Sequence, residues 1–492
     1  MNLFELYKPL RNYLGKFCME DSLYVIWAYS QYLQKLNKNF PADIEVSREF
    51  LKEDELHSKG IYAWELELLL NEVILNAQLS PRCTLTLKRW GTLARVINNL
   101  KTLENEIAIR CVNEENGPTE ISRIAHRQFP WQNLFFNGHL IRYYKIFNYA
   151  PLNEMVQDEL GLTVYQVYSI GYLLSAFYMG SPAIELPIDI TLKEINIDSV
   201  TKFLKLFSRE LSTVRDLVKR EREINEKYLY SYKSLREFPI IKMHYRGQLS
   251  IVCPIPTLLL WRFTGGLYYE LVGKKGFDKF WGISFQKFVG EIIKKSHSNK
   301  DVHCLPENEY YIGRDRKDTV DWVVHDIDSA LFIECKTKRL IIPAKIELTD
   351  TTFIQEELEK MAQFIVQTYK TINDYRNNYY PALKFREERQ IFPVIVTLED
   401  WYLFSVPMLE DLRGMVKNKL KDSDLPLSFL DEMPYAILPV EDFEKLMQFI
   451  QIKGIKSVLR GKTFNKEKSS FLFEDDYKTL FQQMIDSVRA TG

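Results

Sequence analysis

The 492-residue sequence predicts a mixed fold, α+β or α/β in class: a mostly helical N-terminal region, then a unit ordered helix, three strands, helix, strand. Three observations predict it. Apolar residues at helical spacing dominate residues 1–235. From Phe238 onward, short β-branched and aromatic runs bounded by turn formers appear. Two amphipathic stretches, Ile283–Lys295 and Ile354–Asn378, then flank such runs. The expected division is a helical domain over 1–235, a hairpin–helix bridge over 236–274, the α/β unit over 275–410 and a strand–helix extension with a basic tail over 411–492.

In the N-terminal region, Ser22–Leu36, Ala63–Ala77, Lys88–Cys111 and Ser199–Tyr228 have helical spacing, the last capped by Asp198 or Ser199. Asn113–Pro118 (NEENGP) reads as a loop. His126–Gln132 (HRQFPWQ) is expected to end a helix at Pro130. It offers Arg127, Trp131 and Gln132 to nucleic acid, or serves as an aromatic anchor between helices, the commoner use of such a segment. Gly161–Ile184 is uncharged over a length that spans a bilayer. Gln166, a Ser-Pro break and the flanking acids Asp158, Glu159 and Glu185 make a buried helix the better reading, so no membrane partner is expected.

Further on, Ile240–Tyr245 and Gln248–Cys253 around Arg246-Gly247 read as a hairpin, followed by a helix over Thr257–Val272. Ile283–Lys295 has apolar residues at 285, 288, 289, 292 and 293, and Val302–Ile312 supplies a first strand. Val320–His325 and Ala330–Lys336 flank the turn formers Asp326, Asp328 and Ser329. Ile354–Asn378 aligns Ile354, Leu358, Met361, Ile365, Tyr369, Ile372 and Tyr375 on one stripe. Ile391–Leu398, Trp401–Val406 and Tyr435–Pro439 read as strands, and Val440–Ile450 as a helix before the basic tail.

The stretch VDWVVHDIDSALFIECKTKRL (320–340) places charges inside strand patterns. A turn centred on Ile327 and Asp328 pairs His325 with Ala330, Val323 with Phe332 and Asp321 with Glu334. The two carboxylates then oppose each other, and Lys336, two residues from Glu334, projects on the same face. Opposed like charges cost about 0.2–1 kcal/mol, and more where buried. Either the charges face solvent on an edge hairpin, or something offsets them. A divalent cation is the simplest candidate, since Mg²⁺ binds through one or two carboxylates and keeps positions for water and phosphate. The apolar strands, the consistent register and the following helix favour the cation.

The pattern of Asp321 on one strand and Glu334-Cys335-Lys336 on the next resembles the PD-(D/E)XK nucleases, the restriction-endonuclease-like superfamily. The resemblance implies an αβββαβ core and a metal-dependent nuclease that hydrolyses phosphodiester bonds, with DNA as the expected substrate. It implies Mg²⁺, with Mn²⁺ as a substitute, on Asp321, Glu334 and the main-chain carbonyl of Cys335, and a Lys336 that orients or deprotonates water. The family's proline is absent, Thr319-Val320 preceding Asp321. Where many relatives carry a glutamate after a phenylalanine in the first helix, Gln286 follows Phe285, leaving Glu291 as the carboxylate of Ile283–Lys295. Of the Gln-x-x-x-Tyr seen in some relatives, Gln363 is present, but position 367 is Gln and the nearest tyrosine is Tyr369. Glu291 and Gln363 are accessory candidates, Gln363 more simply a solvated helix residue. By analogy alone, a helical region joined to such a nuclease suggests a restriction or phage-defence effector with protein partners from the same system. Two alternatives stay open: a nuclease-like module that binds nucleic acid or a partner without cutting, and a subunit active only in a complex.

With 46% hydrophobic and 27% charged residues the composition is that of a globular chain, and a net charge of −1 gives no global basic field. Binding to nucleic acid then falls to local patches: Lys453, Lys456, Arg460 and Lys462 in the tail, and Lys338, Arg339 and Lys345 beside Lys336. Six cysteines without a CxxC pair suggest neither a zinc ribbon nor a disulfide framework. A reduced, cytoplasmic chain is expected, and MNLFELYKPLRNYLGKF lacks the features of a signal peptide. Gly266–Lys274 has the wrong spacing for a P-loop, so no nucleotide is expected there.

Overall fold

The computed structural model describes residues 3–37, 39–52, 60–80, 83–132, 136–188, 194–231, 233–296, 302–403, 405–461 and 472–489. The fold is mixed α+β and divides into two compact units, one of residues 1–117, 124–272 and 476–492, the other of 118–123 and 273–475.

The first unit is mostly helical, with Met19–Leu33, Ala63–Asn76 and Trp90–Cys111 close to their expected places. The Ile240–Tyr245/Gln248–Val252 hairpin forms as expected, with Arg246 (φ 50°) and Gly247 (φ 86°) both left-handed at its turn. It lies in the middle of a four-stranded sheet, between Ala183–Glu185 and Ser208–Glu210. That pairing corrects the helix expected over Ser199–Tyr228. Ser208–Glu210 leaves the helical path to pair in parallel with Ile240–Lys242, splitting the stretch into Ile197–Phe207 and Leu211–Glu221. The cap is Asn196, in a reciprocal box with Ser199. The helix expected over Thr257–Val272 likewise breaks at Thr264, where a short 3-10 turn, Gly265–Leu267, intervenes.

The uncharged stretch forms the helix Val164–Gly180, buried over Val167–Gly171, where Gly171 lies against the Phe263 ring, but with Phe177 and Met179 exposed near its end. Among the described residues no single helix is long and apolar enough to cross a membrane. Pro130 does not end its helix, which runs Gly117–Gln132; Arg127 pairs with Glu104 at 2.7 Å and Trp131 packs on Trp261. The segment is therefore an anchor. A disulfide joins Cys18 to Cys83, with Cα atoms 5.4 Å apart, against the expectation of reduced cysteines. Sequence spacing hides it: the cysteines are 65 residues apart, and the isolated bridges Phe17–Leu85 and Cys18–Gln78 bring their segments together.

The second unit holds a five-stranded sheet. In spatial order its strands are Ala436–Pro439, Gln390–Thr397, Ser329–Lys336, Trp322–His325 and His303–Pro306. The last three form an antiparallel meander, and the first two join it in parallel. The parallel step follows the long helix Thr352–Arg376, whose stripe from Ile354 to Tyr375 is buried as its spacing predicts. Phe277–Lys295 buries Phe285, Phe288, Val289, Ile292 and Ile293. The strand expected over Val302–Ile312 is two pieces: His303–Pro306 enters the sheet, and Glu309–Ile312 turns away into a hairpin with Asp315–Asp318. Among its described residues, the stretch Trp401–Val406 forms no strand. Asp400 accepts the Tyr402 N–H, Tyr402 turns left-handed at φ 48°, and Ser405 caps the helix Val406–Asp422. The strand and helix after residue 411 extend the sheet, Ala436–Pro439 pairing with Val394–Thr397.

Candidate functional site

The hairpin forms in the expected register, with His325 opposite Ala330 and Val323 opposite Phe332. Its turn is set locally: Asp326 Oδ1 accepts the N–H groups of Asp328 (2.9 Å) and Ser329 (2.6 Å). At the other end of the strands, Asp321 Oδ2 accepts the N–H of Cys335 at 2.6 Å. Lys336 Nζ stands 2.6 Å from Glu334 Oε1, their side chains 20% and 6% exposed. The three charges are thus gathered at one place.

The peptide of Cys335 faces the same gap. Lys336 C=O accepts from Leu398 on the side of Gln390–Thr397, whereas the Cys335 N–H points the other way, to Asp321. N–H and C=O of one strand residue lie on one side, so the Cys335 carbonyl also looks toward Asp321.

A third carboxylate belongs to the site. Pro306 pairs with Trp322, and the next backbone bond runs from the Glu307 N–H to the Asp321 carbonyl at 2.9 Å. Glu307, Asp321 and Glu334 therefore lie in a row across three neighbouring strands. Gln286 Nε2 donates to Glu307 Oε2 at 2.9 Å, and the Gln286 carbonyl accepts the Trp322 indole N–H at 3.0 Å. Gln286 is thus the side chain through which the first helix reaches the acids, while Glu291 is an exposed residue of that helix. On the long helix Gln363 is exposed, and it is Gln367 that approaches Lys336 Nζ, at 3.5 Å. The Phe364 ring lies 4.7 Å from the same ammonium.

Burial raises the Asp321 pKa to about 7, with Glu334 adding to the rise, and the Cys335 N–H and Lys336 opposing it. Burial likewise raises Glu334, against the pull of Lys336. Glu307 pushes both upward. The pair is short of positive charge, and a hard cation with oxygen ligands answers that shortage. Among the described residues no three His, Cys, Asp or Glu side chains stand at metal-ligating spacing. A cation here would rest on Asp321 and Glu334, with the Cys335 carbonyl as a neutral donor and water completing its shell.

The expected phosphate-binding cations divide into several settings. Lys338 pairs with Glu357 at 3.4 Å. Arg339 is buried against Glu399 at 3.2 Å, and Lys345 lies 3.8 Å from the same acid. The Arg339 guanidinium is therefore a core group and not a surface contact. Lys453 and Lys456 line a depression of about 390 Å³ with Asp326 and Asp328. That is the turn end of the hairpin, five residues from Glu334, roughly 16 Å along the strand. Of Arg460 only the helical backbone is described, and Lys462 lies outside the described residues.

No family model, curated protein or solved structure matches this chain.

Proposed function

We propose that this protein is a metal-dependent nuclease with a restriction-endonuclease-like core, hydrolysing phosphodiester bonds of nucleic acid, with DNA the first substrate to test. The observation that supports it is the Asp321–Cys335 contact beside the Glu334–Lys336 pair, which holds two buried carboxylates, a main-chain carbonyl and an ammonium around one gap. Mg²⁺ or Mn²⁺ bound there would polarise the scissile phosphate and lower the pKa of water. Asp321 and Glu334 supply its charge. Lys336, steadied by Phe364 and Gln367, orients the attacking water and counters charge developing on the phosphorus oxygens. Glu307, held by Gln286, adds negative potential that strengthens the demand for a cation. A place among restriction or defence effectors is the context that analogy offers.

A second reading rests on the ammonium already seated at Glu334. With that charge satisfied internally, the module would hold nucleic acid or a protein partner without cutting. Incubation with plasmid, linear and single-stranded DNA and with RNA, in Mg²⁺, Mn²⁺ or EDTA, separates the two. Cutting that depends on metal and is lost in Asp321→Asn supports the nuclease. Binding without cutting in every condition supports the second reading, and cutting that survives chelation removes the metal chemistry.

A further inference from the structure

The geometry points to a phosphate subsite next to the Asp321–Glu334–Lys336 centre, formed by Lys338 and Lys360 and gathered by Glu357. It rests on the nuclease reading above and names the part of the substrate that this face holds: the non-scissile phosphate of the neighbouring nucleotide.

Glu357 is the unusual group. Its side chain is fully buried on the helix Thr352–Arg376, where an isolated charge is costly. Lys360 Nζ approaches Oε1 at 2.6 Å and Lys338 Nζ approaches Oε2 at 3.4 Å. Oε2 makes no hydrogen bond, so its hold on Lys338 is electrostatic and leaves that ammonium's donors for another acceptor. The two lysine side chains remain 42% and 33% exposed, respectively. Two ammonium groups over one carboxylate leave one net positive charge at the surface, fixed from beneath.

The position of this cluster follows from the helix. Residues 357, 360, 364 and 367 recur at three- and four-residue steps and share one face. Phe364 and Gln367 of that face meet Lys336, while Glu357 meets Lys338. The helix therefore runs alongside the chain from Lys336 to Lys338, two residues that span at most about 7 Å. A strand of nucleic acid with one phosphate at Lys336 would bring its next phosphate to Lys338 and Lys360. Arg339 cannot substitute, since its guanidinium is buried against Glu399.

The test measures binding of fluorescent single-stranded and duplex oligodeoxynucleotides to the full chain in EDTA, across a salt series. Lys338→Gln and Lys360→Gln are each expected to weaken binding about 3–10-fold and to reduce the slope of log affinity against log salt by about 0.7–0.9. Lys338→Arg and Lys360→Arg should keep the wild-type slope, which separates phosphate contact from support of the fold. Glu357→Gln removes the opposing charge and should tighten binding. Wild-type affinity and slope in both glutamine variants would overturn the subsite while leaving metal-dependent cutting in place. Loss of affinity that arginine does not restore would overturn it as well. A wild-type chain that neither binds nor cuts any polynucleotide would overturn both proposals.

Discussion

Asp321 Oδ2 accepts the backbone N–H of Cys335 at 2.6 Å, which fastens the acid of one strand between the two charged residues of the next. The contact also makes the two acids unequal. Glu334 has an ammonium at 2.6 Å, whereas Asp321 has an amide dipole and a more distant lysine. Proton affinity therefore concentrates on Asp321.

That inequality gives stability a pH dependence. The folded chain holds the Asp321 proton up to about pH 7, through burial first and Glu334 second, while the unfolded chain releases it near 3.8. The native state binds the proton more tightly, so this stabilising contribution is complete below the unfolded value and is lost as pH rises through about 7. Asp321→Asn keeps an acceptor for the Cys335 N–H and has no charge to expose. In EDTA at pH 8 its thermal midpoint is expected to exceed the wild type by a few degrees, on the order of 1–2 kcal/mol, and the difference should close toward pH 4. Parallel pH profiles for the two proteins would refute it.

A divalent cation bound at Asp321, as proposed, would have to displace the same proton. Mg²⁺ is therefore expected to raise the thermal midpoint more at pH 8 than at pH 6, with proton release seen by calorimetry in buffers of different ionisation enthalpy. Asp321→Asn should abolish the response. Equal stabilisation at both pH values, or none at either, counts against metal at this site.

What was legible in the sequence is what local chemistry determines. Asp326 fixes the hairpin turn through its own side chain, so the register of Asp321 and Glu334 follows from residues close in the chain. The long helix was legible because its apolar stripe repeats for seven positions from Ile354 to Tyr375. Glu307 was not, because its place depends on how an edge strand pairs with Trp322–His325, and Val302–Ile312 carries no mark of the bend that divides it. A carboxylate inside an expected strand, directly after Pro306, was the available signal. The Cys18–Cys83 bond and the Ser208–Glu210 strand were hidden for the same reason, since partners distant in sequence decide both. At Trp401–Val406, β-branched and aromatic content misled; Asp400 and the Ser405-Val406-Pro407 cap outweighed it.

The approach of helix to sheet behind the acids rests on one small residue. Gly290 faces the Trp322 ring, and a Cβ there would overlap it. Trp322 is held in turn by its indole bond to the Gln286 carbonyl. Gly290→Ala should therefore push the helix Phe277–Lys295 off the strand, destabilising the unit by about 1–3 kcal/mol or more. Gln286 and Glu307 would move with it, so the Mg²⁺ response should weaken too. A urea midpoint equal to wild type would show that this contact does not set the site.

Lys336→Ala discriminates most sharply among the readings of the site. In a nuclease it removes the cation that orients water and counters phosphate charge, so cutting should fall at least 100-fold, about 3 kcal/mol. The buried Lys336–Glu334 pair adds a consequence for stability. Without the ammonium, Glu334 and Asp321 face each other with Glu307 nearby, and at pH 8 in EDTA the variant should be less stable than wild type. Mg²⁺ should restore that stability without restoring cutting, since the acids that hold it remain. A module that only binds would instead show weaker, more salt-sensitive association and no cutting to lose. An ordinary solvated hairpin would show a change within about 0.5 kcal/mol and no response to metal. Wild-type cutting by Lys336→Ala would refute the proposed mechanism even with the fold intact.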